Sequence, residues 1–154
     1  MPTLQEELKQ TKPFKCSEEE LYLSIIRTAA RLEHALGQAL KRYHITPTQY
    51  NVLRMLRGAG PAGLCRNEVG ARLVANVPDV TRLLDRMEET GLIVRERSAT
   101  DRRFVTARIS ARGLELVNKL DAPITAIHHQ HLGHVEKRAQ RELIDLLTVV
   151  RTKA

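Results

Sequence analysis

Residues 78–113, PDVTRLLDRMEETGLIVRERSATDRRFVTARISARG, constrain the fold more than any other stretch of the chain. Val80, Leu83, Leu84 and Met87 recur at helical spacing and form one apolar stripe. Asp79, Thr81, Arg82, Asp85 and Arg86 fall on the opposite side. Gly91 follows the last apolar turn, where a left-handed cap costs glycine least. Leu92 and Val94, then Phe104, Val105, Ala107 and Ile109, sit in two strand-like runs joined by SATDRR. The stretch therefore predicts a helix, a glycine stop and a basic β-hairpin.

An arginine-bearing helix followed by such a hairpin defines a winged helix-turn-helix, and its charge points to duplex DNA. Lys and Arg number 25 against 18 Asp and Glu, a formal net charge of +7. An excess of this kind favours an anionic partner, and here it is concentrated. Arg95, Arg97, Arg102, Arg103, Arg108 and Arg112 face only Glu96 and Asp101 within residues 95–112. A phosphate-facing element needs local density of that sort.

Several classes drop out. No apolar run approaches membrane-spanning length and the N-terminus has no signal-like core, so a cytoplasmic location without membrane contact is expected. Two cysteines, Cys16 and Cys65, supply neither a disulfide framework nor a four-thiolate zinc site. Aromatics make up 3% of the chain, too few for a stacking platform for single strands. The serines lie in no nucleophile motif and no paired carboxylates stand out, so no enzyme and no cofactor are expected.

The remaining periodicity predicts a mainly helical α+β fold of six helices with a two- to three-stranded wing. Residues 1–16 show no sustained period and read as a mobile or partner-wrapping arm. Ser17, with Glu20 three residues on, reads as the capped start of a long helix striped by Leu21, Ile25, Ala29, Leu32, Leu36 and Leu40. Thr46 and Gln49 form a second capping box around Pro47, and GAGPAG (58–63) ends that helix. A short helix from about Cys65 to Val74 precedes the element at 78–90. Ser110 caps a fifth helix, which Pro123 should kink, and Gly133 separates it from a sixth carrying Leu143, Ile144, Leu147 and Val150.

Residues 45–110 can bury a core of their own as a DNA-binding region. Residues 17–44 and 111–154 flank them with apolar stripes too broad for one neighbour. A symmetric homodimer built from both terminal regions is the economical solution, one composite domain per protomer.

With these residues placed, the chain resembles the multiple-antibiotic-resistance regulator (MarR) family of bacterial winged-helix transcription factors. The likeness rests on ITPTQYNVLRML (45–56) and on VTRLLDRMEETGLIVRERSATDRRFVTARISARG (80–113), with an Asp-x-Arg wing pattern at Asp101 and Arg103. It covers roughly residues 20–150. It implies a homodimer that binds a pseudopalindromic operator, usually as a repressor, and is released by small phenolic or other apolar acids, oxidants or metals. Cys65 departs from it, standing where a Ser or Thr usually caps the third helix. Cys16 lacks the aromatic-rich helical setting of peroxide-sensing members.

The DNA site expected from the residues has two parts. Pro78, Asp79, Thr81, Arg82 and Arg86 open the second helix of the helix-turn-helix, whose N-terminal part meets base edges in the major groove. Arg82 and Arg86 suit guanine O6 and N7, and Thr81 a thymine methyl or a phosphate. Asp79 would accept from cytosine N4 or offset the positive helix end. In the wing, Arg102 and Arg103 divide minor-groove contact and support between them, and Asp101 pairs with an arginine to set the loop.

Sensing is less sharply written. By the family resemblance, Tyr22, His34 and Tyr50 border an effector cleft and would give polar handles in an apolar pocket, although ordinary packing explains each as well. Cys65 beside Arg66 is the redox candidate, against the reading of an inert small apolar residue. His128, His129, His131 and His134 lack the helical i, i+4 ligand pair and read as a solvated helix end, so no metal site is expected. Two other classes compete with a regulator released by an aromatic acid: a redox- or zinc-responsive regulator of the same fold, and an architectural DNA-binding protein without an effector.

Overall fold

The computed structural model describes residues 2–97 and 105–153. The chain forms two compact units, Met1–Pro47 and Thr48–Ala154. The first holds α1 (Leu4–Glu7) and α2 (Ser17–Lys41). With α3 (Pro47–Ala59) the chain enters the second, which continues through a 3-10 turn (Gly60–Ala62), β1 (Leu64–Cys65), α4 (Arg66–Arg72) and α5 (Val80–Glu89). The hairpin β2 (Ile93–Arg97) and β3 (Val105–Ile109) and the helices α6 (Ala111–Leu132) and α7 (Lys137–Lys153) complete it. No helix among the described residues is long and apolar enough to cross a membrane.

The expected six helices are all present, and α1 is an addition within the segment that shows no period. One turn is too short to show periodicity, so its signal is the cap. The Thr3 hydroxyl accepts from Glu6 N–H at 3.3 Å, and Glu6 Oε2 accepts from Thr3 N–H at 2.7 Å. Glu7 then pairs with Arg31 at 2.8 Å and with Arg27 at 3.8 Å on α2, so this segment is held against the long helix. The start of α2 also differs from expectation, because Cys16, not Ser17, is the N-cap and makes no side-chain cap bond. Glu18, Glu19 and Glu20 fill the first turn instead, a charge favoured at the positive helix end. Glu18 is held below the usual carboxylate range, first by its backbone N–H and then by Cys16 and Ser17.

In the second unit the sheet runs β1-β3-β2, both pairings antiparallel, so the wing has three strands. Its inner face and the surrounding helices bury Val52, Leu53, Leu56, Val69, Leu84, Met87, Ile93, Ala107, Val117, Leu120 and Ile124. The stripe read along residues 80–87 thus points into the core, as helical periodicity requires. Ser110 caps α6, its hydroxyl accepting from Gly113 N–H at 2.9 Å and donating to Gly91 O at 2.7 Å. The helix is continuous through Pro123. No residue of α7 is buried, and Leu143, Ile144, Leu146, Val149 and Val150 are exposed.

Candidate nucleic-acid interface

The interface is built on α4, the turn after it, and α5. α4 starts at Cys65, whose backbone N–H donates to Glu68 Oε2 at 2.8 Å while its sulfur accepts from the Glu68 N–H. The thiol therefore takes over the capping work that a hydroxyl commonly does. The Cys65 backbone N–H first, and then the Cys65 thiol, hold the Glu68 carboxyl below its ordinary range. Asn51 Oδ1, on α3, accepts from Val74 N–H at 3.1 Å and fixes the turn that leads to α5.

Asp79 is the N-cap of α5, its Oδ1 accepting from Arg82 N–H at 2.8 Å. Of its two expected roles, the structure shows the one at the helix end; Pro78 lies just outside the helix. The C-terminus closes as the glycine predicted. Gly91 N–H donates to Glu88 O at 2.8 Å and Leu92 N–H to Met87 O at 2.9 Å, with Gly91 at φ 71°. That 6→1 and 5→2 pair is a Schellman stop. It sends the chain straight into β2, so the wing is anchored to the end of the helix.

Thr81, Arg82 and Arg86 are exposed on α5, opposite buried Leu84 and Met87. Neither the Arg82 nor the Arg86 guanidinium has a carboxylate partner among the described residues. The basic hairpin behaves differently. Arg95 is bound to Glu88 and Asp85, with Nη2 at 2.7 Å from Glu88 Oε2 and 2.6 Å from Asp85 Oδ1. Arg108 Nη1 is bound to Glu96 Oε2 at 2.6 Å. Two of the six arginines counted toward phosphate binding are therefore structural. The wing residues Asp101, Arg102 and Arg103 lie outside the described residues.

Beside α5 the surface holds two hollows, about 300 Å³ and 380 Å³, and Arg66 and Asn67 line both. Thr81 and Arg95 line the first; Pro78 and Asp79 line the second. In sequence Arg66 stands out only as a neighbour of Cys65, and Asn67 belongs to no motif. Both open the first helix of the helix-turn-helix, which was the available signal.

The sensing candidates lie on different elements. Tyr22 is 64% exposed on α2, and His34, on the same helix, meets Gln38 at 3.3 Å between their Nε2 atoms. Tyr50, in the second unit, is buried, which pushes its phenol up, with the Arg54 guanidinium 6.0 Å from the ring centroid. Cys16 is exposed and Cys65 half-buried, both as free thiols. Among the described residues no three His, Cys, Asp or Glu side chains are grouped to hold a metal, the four histidines of residues 128–134 included.

A capped recognition helix, a helix before it and a sheet-borne wing define a winged helix-turn-helix DNA-binding protein. The sequence model of the MarR family matches residues 44–103. The uncharacterised HTH-type transcriptional regulator YkoM of Bacillus subtilis (strain 168) is 32% identical over 119 residues, which span 74% of this chain and 75% of YkoM. The chain belongs to the MarR family of DNA-binding transcription regulators. Its fold is also that of Sco3205, a MarR family transcriptional regulator from Streptomyces coelicolor solved in complex with DNA. That likeness has a TM-score of 0.81 and 21% identity over 92% of this chain and 91% of Sco3205. BpsR of Bordetella bronchiseptica, whose DNA binding is regulated by 6-hydroxynicotinic acid, superimposes with a TM-score of 0.77 at 21% identity. The match covers 91% of this chain and 98% of BpsR. The proteins matched are regulators, not enzymes.

Proposed function

We infer that this regulator acts in the cytoplasm as a homodimer on a pseudopalindromic operator, as a repressor that a small aromatic acid releases. The observation that carries the DNA reading is the placement of exposed Arg82 and Arg86, neither with a carboxylate partner among the described residues, opposite buried Leu84 and Met87 on one helix. Two guanidiniums one turn apart can each grip a guanine edge in the major groove. Arg102 and Arg103 on the wing add minor-groove and phosphate contacts, with Asp101 setting the loop.

Dimerisation through the terminal regions is supported by the apolar side chains that each unit leaves exposed. Leu21 and Ile26 stand out on α2; Leu143, Ile144, Leu146, Val149 and Val150 stand out on α7. Exposed apolar side chains in such number on a helix suit an association surface. Two copies place two α5 helices on half-sites one DNA turn apart, about 34–36 Å.

The effector class is supported by BpsR, a regulator of the same fold that answers to a hydroxylated aromatic acid. The chain's positive charge suits a carboxylate, with Tyr22, His34 and Tyr50 as the polar handles. A zinc reading is less favoured, since no three His, Cys, Asp or Glu side chains are grouped to hold a metal among the described residues.

Selecting a preferred site from random duplexes and comparing its affinity with bulk duplex tests the DNA reading. Preference for one site by a thousandfold or more, about the lower end for specific binders, is expected. Equal affinity for all duplexes would make the protein architectural instead.

A further inference from the structure

By charge alone α5 is poorly suited to a polyanion. Between Val80 and Glu89 it carries Arg82 and Arg86 against Asp85, Glu88 and Glu89, a net of −1. Three carboxylates on a helix that approaches phosphates oppose the long-range attraction on which binding depends. Asp85 and Glu88 lie one turn apart on the side that meets the sheet, and a cation from outside the helix reaches both.

That cation is Arg95 on β2. Its Nη2 lies 2.6 Å from Asp85 Oδ1 and 2.7 Å from Glu88 Oε2, and its Nε lies 2.9 Å from Glu88 Oε2. Its backbone N–H donates to Glu88 Oε1 at 3.0 Å, so one carboxylate holds both the side chain and the strand. The Arg95 side chain is 23% exposed, against 44% for Asp85 and 39% for Glu88. The guanidinium thus lies beneath the two carboxylates it serves, between helix and wing.

We propose that Arg95 is a positioning residue for DNA binding, which neutralises Asp85 and Glu88 and holds both carboxylates against β2. Arg82 and Arg86 then set the charge that the helix presents to the duplex. Without Arg95, Asp85 is free to turn toward Arg82, three residues before it on the same surface, where opposite charges pair. The reading arginine would be quenched by its own helix. The proposal rests on α5 being the DNA-facing helix.

The test uses the full chain and its selected duplex, with affinity, salt dependence and melting temperature measured together. Arg95→Met keeps the aliphatic stem and removes the charge. It is expected to weaken binding about tenfold or more, as an uncompensated carboxylate pair would. Asp85→Asn with Glu88→Gln, Arg95 retained, is expected to bind at least as tightly as the parent. The triple variant removes all three charges of the Arg95 cluster together and is expected to return within about threefold of the parent, with the parent's salt slope.

A triple variant as weak as Arg95→Met overturns the proposal. A salt slope lowered by about one overturns it too, because Arg95 would then contact a phosphate itself. The double and triple variants decide the matter even if Arg95→Met fails to fold. Unchanged binding in both Arg82→Ala and Arg86→Ala would remove the recognition-helix reading, and the proposal with it.

Discussion

Arg57 on α3 grips Asp121 on α6 through two parallel bonds, Nη1 to Oδ2 at 2.8 Å and Nη2 to Oδ1 at 3.0 Å. The same Nη1 also donates to Asn118 Oδ1 at 2.9 Å, so one guanidinium ties the helix before the DNA-binding elements to the helix after them. The bond to Arg57 is the first cause that holds the Asp121 carboxyl below its ordinary range. Asp121 is 52% exposed, so solvent screens the pair.

Asp121→Asn should therefore cost only about 1 kcal/mol or less at neutral pH. A lowered carboxyl pKa contributes stability that is fully present above the unfolded value, about 3.9, and is lost as pH falls through the folded one. Urea midpoints of parent and variant should differ at pH 7 and converge as pH falls well below the ordinary carboxylate range. A gap that persists unchanged in acid would mean the pair stabilises by packing and not by charge.

Arg82→Ala and Arg86→Ala should each weaken operator binding by about 1–3 kcal/mol and relax specificity at one base position. Their side chains are exposed, so melting temperatures should stay close to the parent's. Titration of the selected duplex against single-base variants measures both effects.

Gly113→Ala should damage the fold. A Cβ there would lie 2.1 Å from Leu92 O and 3.1 Å from both Ile109 Cγ1 and Leu53 Cδ2. The nearest atom is backbone at the Schellman stop, which cannot move without shifting β2. A loss of about 2–3 kcal/mol or more is expected from overpacking of this kind, read as a drop in the urea midpoint. A variant as stable as the parent would show that α6 can slide away from the hairpin.

Deleting residues 136–154 removes α7 with its exposed leucines and valines. Aggregation or loss of folding is expected if the chain is the proposed dimer, since obligate dimers often have no stable monomer. Light scattering and circular dichroism on the truncated chain give the answer. A soluble monomer with native helicity would contradict dimerisation through the C-terminal region.

Carboxylated aromatics of the salicylate type should weaken operator binding while raising the melting temperature of the free protein. An effector shifts an equilibrium only by binding one state more tightly than the other, so both readouts must move. A panel of such acids, followed by zinc and a hydroperoxide, discriminates the sensors. Release by zinc or hydroperoxide alone would move attention to the histidines of residues 128–134 or to Cys65.

The elements at 78–113 were legible because their causes are short in range. Helical periodicity at Val80, Leu83, Leu84 and Met87, the cap at Ser110 and the glycine stop at Gly91 act within a few residues. The Thr3–Glu6 box was equally local and was passed over, because a single turn shows no period. The start of α2 differs from its pattern for a related reason: Ser17 fits a cap signature, but Cys16 is the N-cap and three consecutive glutamates fill the first turn.

What the residues alone determined, then, was the order of helices and strands, the side of α5 that enters the core, and the family. They did not reveal which arginines are free. Arg82, on the helix, and Arg95, in the basic cluster of residues 95–112, look equally available to DNA in sequence. Only the reversal of the chain at Gly91, which lays β2 alongside α5, brings Arg95 against Asp85 and Glu88, while Arg82 has no carboxylate partner among the described residues. The strand pairing does the same for Arg108 and Glu96, twelve residues apart. Ion pairing depends on distances of a few ångströms between separate elements, and those distances exist only once the tertiary fold has closed.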